Sequence, residues 1–325
     1  MVTLALIGDV MLGRGVNEEI AYRPPESLWG TALPVLQAPD GVIANLECAI
    51  TQHTQKCRIP KVFHFRANPE AVNVLRSANI RCVSLANNHT LDFQEQGLLD
   101  TLHHLDSVGI RYVGAGRNLS EATTPLLIEI GGLKIGIIAF TDNQPEFAAD
   151  RDRPGTHYLE IRADPATIGL IASGVHQVRH AGAKLILLSV HWGPNMVTRP
   201  PRRFQAFAHA VVECGVDLVH GHSAHLFQGI ERYRQGLILY DTGDFLDDYA
   251  VDPELRNDWS FIFLVEATET GLQRLQMRPV QLHYARVDLA TGKEFDHICD
   301  RMQQLSTMFG TELIKTSEGL GACLQ

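Results

Sequence analysis

Short apolar runs alternate with stretches of helical spacing along most of this chain. Residues 2–8, 42–45, 81–85, 111–113, 134–140, 184–190 and 217–219 are β-rich and apolar, and predict strands. Helical patterns fill the gaps. One spans 69–78, after Asn68 as an N-cap and with Pro69 at the first helical position. Another spans 94–108 and stops at Gly109; two more cover 163–181 and 203–214, the last stopped by Gly215. Around 127–140, apolar alternation on either side of Gly131-Gly132 predicts a hairpin. Beyond Gly229 the pattern turns antiparallel, with strands at 229–234, 237–240, 260–267 and 272–281. A final helix at 292–308 is followed by a polar tail. No repeat or low-complexity linker interrupts the series. The expected arrangement is one domain over residues 1–325, an α/β fold of two mixed sheets packed together with helices outside.

Composition narrows the function. The chain has 325 residues, of which 45% are hydrophobic and 20% charged, a globular balance with material for a large core. A net charge of -9 argues against a nucleic-acid partner, which calls for excess Lys and Arg. It leaves room for a small anionic or peptide substrate held by local groups. No run of about 18 apolar residues is present, so no membrane insertion is expected, and the N-terminus enters a strand pattern without a basic leader. Six cysteines without a Cys-x-x-Cys pair fit reduced thiols and a cytoplasmic location. Cys48 and Cys57 are close in sequence, which does not establish a bridge. Gly114-Ala115-Gly116 lacks the rest of a dinucleotide fingerprint, and neither a P-loop nor a Gly-x-Ser-x-Gly elbow occurs.

The chemistry-bearing residues gather just after the apolar runs. Asp9 follows the first. Asn45 and Glu47 close the second. Asn87, Asn88, His89 and Asp92 follow the third, His191 ends the run at 184–190, and His220, His222 and His225 follow 217–219. In layered α/β folds the carboxyl ends of strands are where sites assemble. Carboxylate, amide and imidazole together suit borderline transition metals. Singly, each residue has a plainer reading. Asp9 fits a turn, Glu47 a solvated loop acid, Asn87-Asn88 an Asx turn, and His191 a core histidine beside Trp192. Their joint placement favours a metal site.

At these positions the chain resembles the capsule-synthesis (CapA-type) proteins of poly-γ-glutamate systems. The resemblance is carried by Ile7-Gly8-Asp9-Val10-Met11-Leu12-Gly13-Arg14, Asn45-Leu46-Glu47, Leu85-Ala86-Asn87-Asn88-His89-Thr90-Leu91-Asp92, Val190-His191-Trp192-Gly193, Gly221-His222-Ser223-Ala224-His225 and Tyr240-Asp241-Thr242-Gly243-Asp244-Phe245. It spans about residues 4–267. That family is similar to the calcineurin-like metallophosphoesterases, so the resemblance implies a four-layer αββα sandwich. It also implies a site for one or two manganese, iron or zinc ions. Asp9 and His225 would hold one ion, Asn88, His191 and His222 the other, and Glu47 would bridge them. His89 would move a proton and Asp92 would orient it. Met11 stands where those phosphoesterases have histidine, Glu47 where they have aspartate, and His222 and His225 are three apart, so a single ion or a metal-free pocket is the other outcome. Arg14 either opens a helix or meets an anion, and Arg199, Arg202 and Arg203 either meet an anion or face solvent. Three functions follow: metal-dependent hydrolysis of a phosphate ester or related anion, metal-independent acid–base chemistry on a peptide (isomerisation, epimerisation or γ-glutamyl amide transfer), or a non-catalytic part in polyglutamate assembly.

Overall fold

The computed structural model describes residues 1–324. Two large mixed sheets lie face to face. The larger runs in the order Ile314–Thr316, Gly319–Cys323, Gly271–His283, Trp259–Thr268, Val2–Val10, Gly41–Leu46, Ile80–Ser84 and Arg111–Val113. Asp244–Leu246 also pairs with Val2–Val10, and Arg286–Leu289 with Gly271–His283. The smaller runs Ile230–Tyr233, Gly236–Leu239, Leu218–His222, Leu185–His191, Leu133–Thr141 and Leu126–Ile130. Each has a parallel heart, in which neighbouring strands end together on one side.

Alternation along the strands builds the layers. Leu4 and Leu6 point into the space between the sheets with Ile135, Ile137, Leu185, Leu187, Phe261 and Phe263. Ala5 and Ile7 point the other way, joining Leu98, Leu102 and Leu105 of the helix Gln94–Ser107. On the far side of the smaller sheet, Ile186, Leu188 and Phe140 meet Ile171 and Val175 of Pro165–His180 and Phe207 and Val211 of Arg202–Glu213. Helix, sheet, sheet and helix make the αββα sandwich that the resemblance implied. Each of the leucine, isoleucine, valine and phenylalanine side chains among these contributes about 1.5–3 kcal/mol by leaving water. The helix Gly292–Thr307 does something different. Its Ile298, Cys299 and Met302 enter the layer between the sheets and close one end of it.

Local signals set most boundaries within a residue or two. Gly109 and Gly215 adopt φ of +73° and +107° after their helices, and Gly131 and Gly132 adopt +57° and +83° in the hairpin, as a turn with two left-handed positions requires. Two expectations are corrected. The helix at 69–78 is a 3-10 turn Pro69–Ala71 followed by a short helix Val72–Ser77, and the Asn68 side chain makes no cap. The Asn68 N–H instead donates to Asn17 Oδ1 at 2.7 Å. The polar tail is no tail: Ile314–Thr316 and Gly319–Cys323 form a hairpin that extends the larger sheet, from Arg274↔Cys323 to Met277↔Leu320. Buried Leu313, Leu320 and Leu324 hold it down. Three apolar residues spread through a polar stretch are too few to show in the alternation.

Candidate metal centre

The parallel strands of both sheets end at one place. Asp9 lies near the end of Val2–Val10, in register with Asn45 on one side and Asp244 on the other. The third position depends on Gly8. A Cβ there would stand 1.8 Å from the Gly243 carbonyl oxygen, so only glycine lets that loop close on the strand. The Asp9 N–H then donates to the same oxygen at 2.9 Å. In the smaller sheet, His191 and His222 are direct register partners, and both strands run one or more residues past their apolar stretches to deliver them.

Two groups of donors result, and Asp9 belongs to both. Asp9, His191 and His222 each offer an atom within 4.8 Å of the others, and so do Asp9, Glu47, His225 and Asp244. The Nδ1 atoms of His191 and His222 are 3.0 Å apart. His222 Nε2 meets Ser189 Oγ at 2.9 Å, which leaves its Nδ1 for the centre. Asn45 Nδ2 donates to Asp9 Oδ1 at 2.7 Å, while Asn87 Nδ2 donates to Asn45 Oδ1 at 3.1 Å and so fixes which way that amide faces. His225 Nδ1 lies 2.8 Å from Asp244 Oδ1 and 3.9 Å from Asp9 Oδ2. Glu47 Oε1 stands 3.9 Å from His191 Nε2 and 4.0 Å from His89 Nε2.

What sets this cluster apart is what its atoms lack. Asp9 Oδ2, Glu47 Oε1, Asn88 Oδ1 and Asp244 Oδ2 are buried and accept no hydrogen bond. Buried acceptors are nearly always satisfied, and leaving one unmet costs about 1–3 kcal/mol. Electrostatics repeat the point. Burial, then the Glu47 charge, pushes Asp9 well above the carboxylate range. Burial lifts Glu47 to about 7, and burial with Asp247 lifts Asp244. Burial holds His191 and His222 well below the usual imidazole value. Acids that hold their protons more tightly than usual and imidazoles that resist protonation suit a cation, which would compete with protons for the acids and find the imidazoles neutral. Oxygen and imidazole without thiolate fit a borderline divalent ion.

His89 stands beside these donors. Its Nδ1 is 2.5 Å from Asp92 Oδ2, and its ring stacks on Phe65 with centroids 4.0 Å apart. Burial lowers it to about 4, against the pull of Asp92. Lys61 drew no notice in the sequence. Its Nζ donates to Asp92 Oδ1 at 2.6 Å and to the Asn88 carbonyl, pinning the loop that carries His89. Tyr249 was missed as well. Its hydroxyl donates to Glu47 Oε2 at 3.3 Å, and its ring meets His225 edge-on. Neither sits in an apolar run or at a strand end, so periodicity carries no sign of them. Arg14 pairs with Asp248 at 3.2 Å and lines a cavity of about 420 Å³ together with Phe63, Phe65, His89, His225 and Tyr249. Arg199, Arg202 and Arg203 are exposed and lie outside that cavity's lining. All six cysteines are free, Cys48 and Cys57 included. No helix among the described residues is long and apolar enough to cross a membrane.

Residues 3–249 match the model of the bacterial capsule synthesis protein family, PGA_cap, a span that holds every donor above. The chain belongs to that family. Within it, a probable polyglutamine synthesis accessory protein of Mycobacterium tuberculosis is 31% identical, over 98% of this chain and 95% of its own length. The PGA biosynthesis protein CapA of Bacillus subtilis is 29% identical, over 88% of this chain and 73% of its own. Among solved structures, a hypothetical protein from Thermus thermophilus aligns with a TM-score of 0.50 at 15% identity. It covers 86% of this chain and 99% of its own length, a likeness of fold.

Proposed function

We propose that this capsule-family chain is a divalent-metal-dependent hydrolase of a phosphate ester or a related anionic substrate. The observation that carries it is that Asp9 joins two donor groups, one with His191 and His222, whose Nδ1 atoms are 3.0 Å apart, and one with Glu47, His225 and Asp244, while Asp9 Oδ2, Glu47 Oε1 and Asp244 Oδ2 are buried and accept no hydrogen bond. Asp9, His191 and His222, with Asn88 Oδ1, would hold one ion, and Asp9, Glu47, His225 and Asp244 a second. When bound, such ions supply Lewis acidity, a more acidic water and a clamp for phosphoryl oxygens. The rest falls to the chain. Asn45 holds Asp9 in place, and Ser189 holds the His222 ring. Asp92 binds His89 through Nδ1, which leaves Nε2 to exchange a proton with the leaving oxygen. Phe65 covers one face of the His89 ring, and Tyr249 packs against Phe65.

The test is hydrolysis of 4-nitrophenyl phosphate and bis(4-nitrophenyl) phosphate, with elemental analysis of the same preparation. One or two manganese, iron or zinc per chain are expected, with turnover lost to a chelator and restored by the metal. Turnover that survives complete chelation overturns the reading.

A second reading rests on a different fact. His89 Nε2 and Glu47 Oε1 face each other at 4.0 Å, a spacing suited to an acid and a base on one substrate. The names of the relatives concern polyglutamine and PGA, which makes a glutamyl peptide the substrate to try. A metal-free chain that isomerises such a peptide or transfers its amide would establish it.

A further inference from the structure

The cavity beside the donors has a second pole. Arg14 sits on its wall with the Nε edge turned to Asp248, at 3.2 Å. Its ion pair is to that carboxylate, and among the described residues neither terminal nitrogen donates a hydrogen bond. The side chain is 40% exposed and lines the cavity, so the guanidinium is accessible to a ligand there. Its aliphatic and planar faces are boxed by aromatic rings. The guanidinium carbon lies 5.6 Å from the Phe63 centroid, 5.9 Å from Phe65 and 5.9 Å from Tyr249. The backbone pays for this placement, because Arg14 adopts φ of +51°, a region that side-chain-bearing residues rarely enter. Asp248, which tethers Nε, also accepts the Gly15 N–H at 2.9 Å, so one carboxylate fixes both the strained turn and the cation on it.

Two of the boxing rings also touch the metal centre. Phe65 stacks on His89, and Tyr249 bonds Glu47 and meets the His225 ring at 5.5 Å. Phe65 and Tyr249 therefore stand between the Arg14 guanidinium and the donors. A planar fork of this kind matches an oxyanion through two parallel hydrogen bonds.

We infer that the cavity takes a substrate with two anionic ends. The reacting group lies at the metal donors, a second oxyanion is gripped by Arg14, and a short apolar spacer crosses Phe65 and Tyr249. This rests on the proposed hydrolytic reading for what happens at the first end, but the second end stands on Arg14 and its box alone.

The experiment separates the two. Alkyl phosphates, ω-carboxyalkyl phosphates and α,ω-bisphosphates with spacers of increasing length are compared on the manganese-loaded full chain. Turnover is read as kcat/KM, and binding of the matching non-hydrolysable phosphonates is read by calorimetry. At one spacer length, the second anion is expected to raise kcat/KM and affinity about ten- to hundredfold over the plain alkyl compound. In Arg14→Gln that ratio collapses toward one while metal content holds. Arg14→Lys, which keeps the charge without the fork, retains only part of it. The carboxylate and bisphosphate arms tell which oxyanion the fork prefers. If nothing is turned over but the phosphonates still bind with the Arg14-dependent preference, hydrolysis fails and the second subsite stands. If the wild type shows no preference for a second anion, or Arg14→Gln keeps it, the subsite is overturned, whatever the rate.

Discussion

Two histidine–carboxylate clusters in this molecule, one part-buried and one buried, look alike in composition and differ in their unmet valences. On the smaller sheet's outer region, His209 Nε2 lies 2.9 Å from both oxygens of Glu231, and Tyr240 donates to Glu231 Oε2 at 2.5 Å. His209 is stacked flat on Tyr233, with centroids 3.8 Å apart. Every polar atom of Glu231 is used. Around Asp9 the same kinds of residue leave Asp9 Oδ2, Glu47 Oε1 and Asp244 Oδ2 with nothing. The first cluster ties a helix to a hairpin. The second gathers acids whose buried oxygens lack partners, the condition the proposed metal site would relieve. Unsatisfied atoms, rather than residue types, separate a site from a strut.

Removing a donor from the open cluster should break this contrast most completely. His191→Ala is expected to empty the centre of metal and drop turnover to background, with metal affinity down by more than about a hundredfold. Elemental analysis checks it, and a variant that keeps its full metal content means the open cluster is not a metal site. His89→Ala should separate proton transfer from metal binding. Its metal content is expected to stay at the wild-type level while kcat falls by about a hundred- to ten-thousandfold.

Smaller effects sharpen the same comparison. Asn45→Ala frees Asp9 Oδ1 from its anchor and should weaken metal binding by about ten- to hundredfold in a titration, without removing any donor. Protons should compete with the metal too. Burial raises Glu47 from 4.5 to about 7, so its proton must leave before the ion enters at neutral pH. Affinity is then expected to fall about tenfold for each pH unit below that value, as one proton is displaced. The sign extends to stability. A carboxyl that holds its proton more tightly when folded stabilises most below 4.5 and loses that contribution as pH rises to about 7. Glu47→Gln in the chelated chain should therefore gain Tm over the wild type across that window; an unchanged difference would place Glu47 in water. Last, Glu231→Gln in the closed cluster should cost about 1–3 kcal/mol of stability and leave metal content and turnover alone. A loss of metal there would erase the distinction between the two clusters.

Much of the fold could be read along the chain because its strands are long enough to show alternation. Leu4 and Leu6 against Ala5 and Ile7 already sort themselves onto two faces. The candidate residues Asp9, Glu47, His191 and His222 were visible because each interrupts or ends an apolar run. Asp244 sat in an Asp-Thr-Gly-Asp loop whose spacing fits a turn equally well, and only its register with Asp9 brings it to the centre. Lys61 and Tyr249 come from irregular loops. The C-terminal hairpin was invisible because its strands carry little apolar pattern and depend on pairing with Gly271–His283.

The sequence by itself determined the periodic elements, the side of each strand that faces the core, and the polar residues that would emerge at strand ends. These are consequences of backbone geometry within a few residues. Tertiary structure alone decided that Asp9 is common to two donor groups, that His191 and His222 meet through their Nδ1 atoms, and that Arg14 lies among Phe63, Phe65 and Tyr249 beside them. Such facts depend on register and loop closure between segments far apart in the chain. There, a carbonyl passing 1.8 Å from where a Cβ would sit matters more than any local propensity.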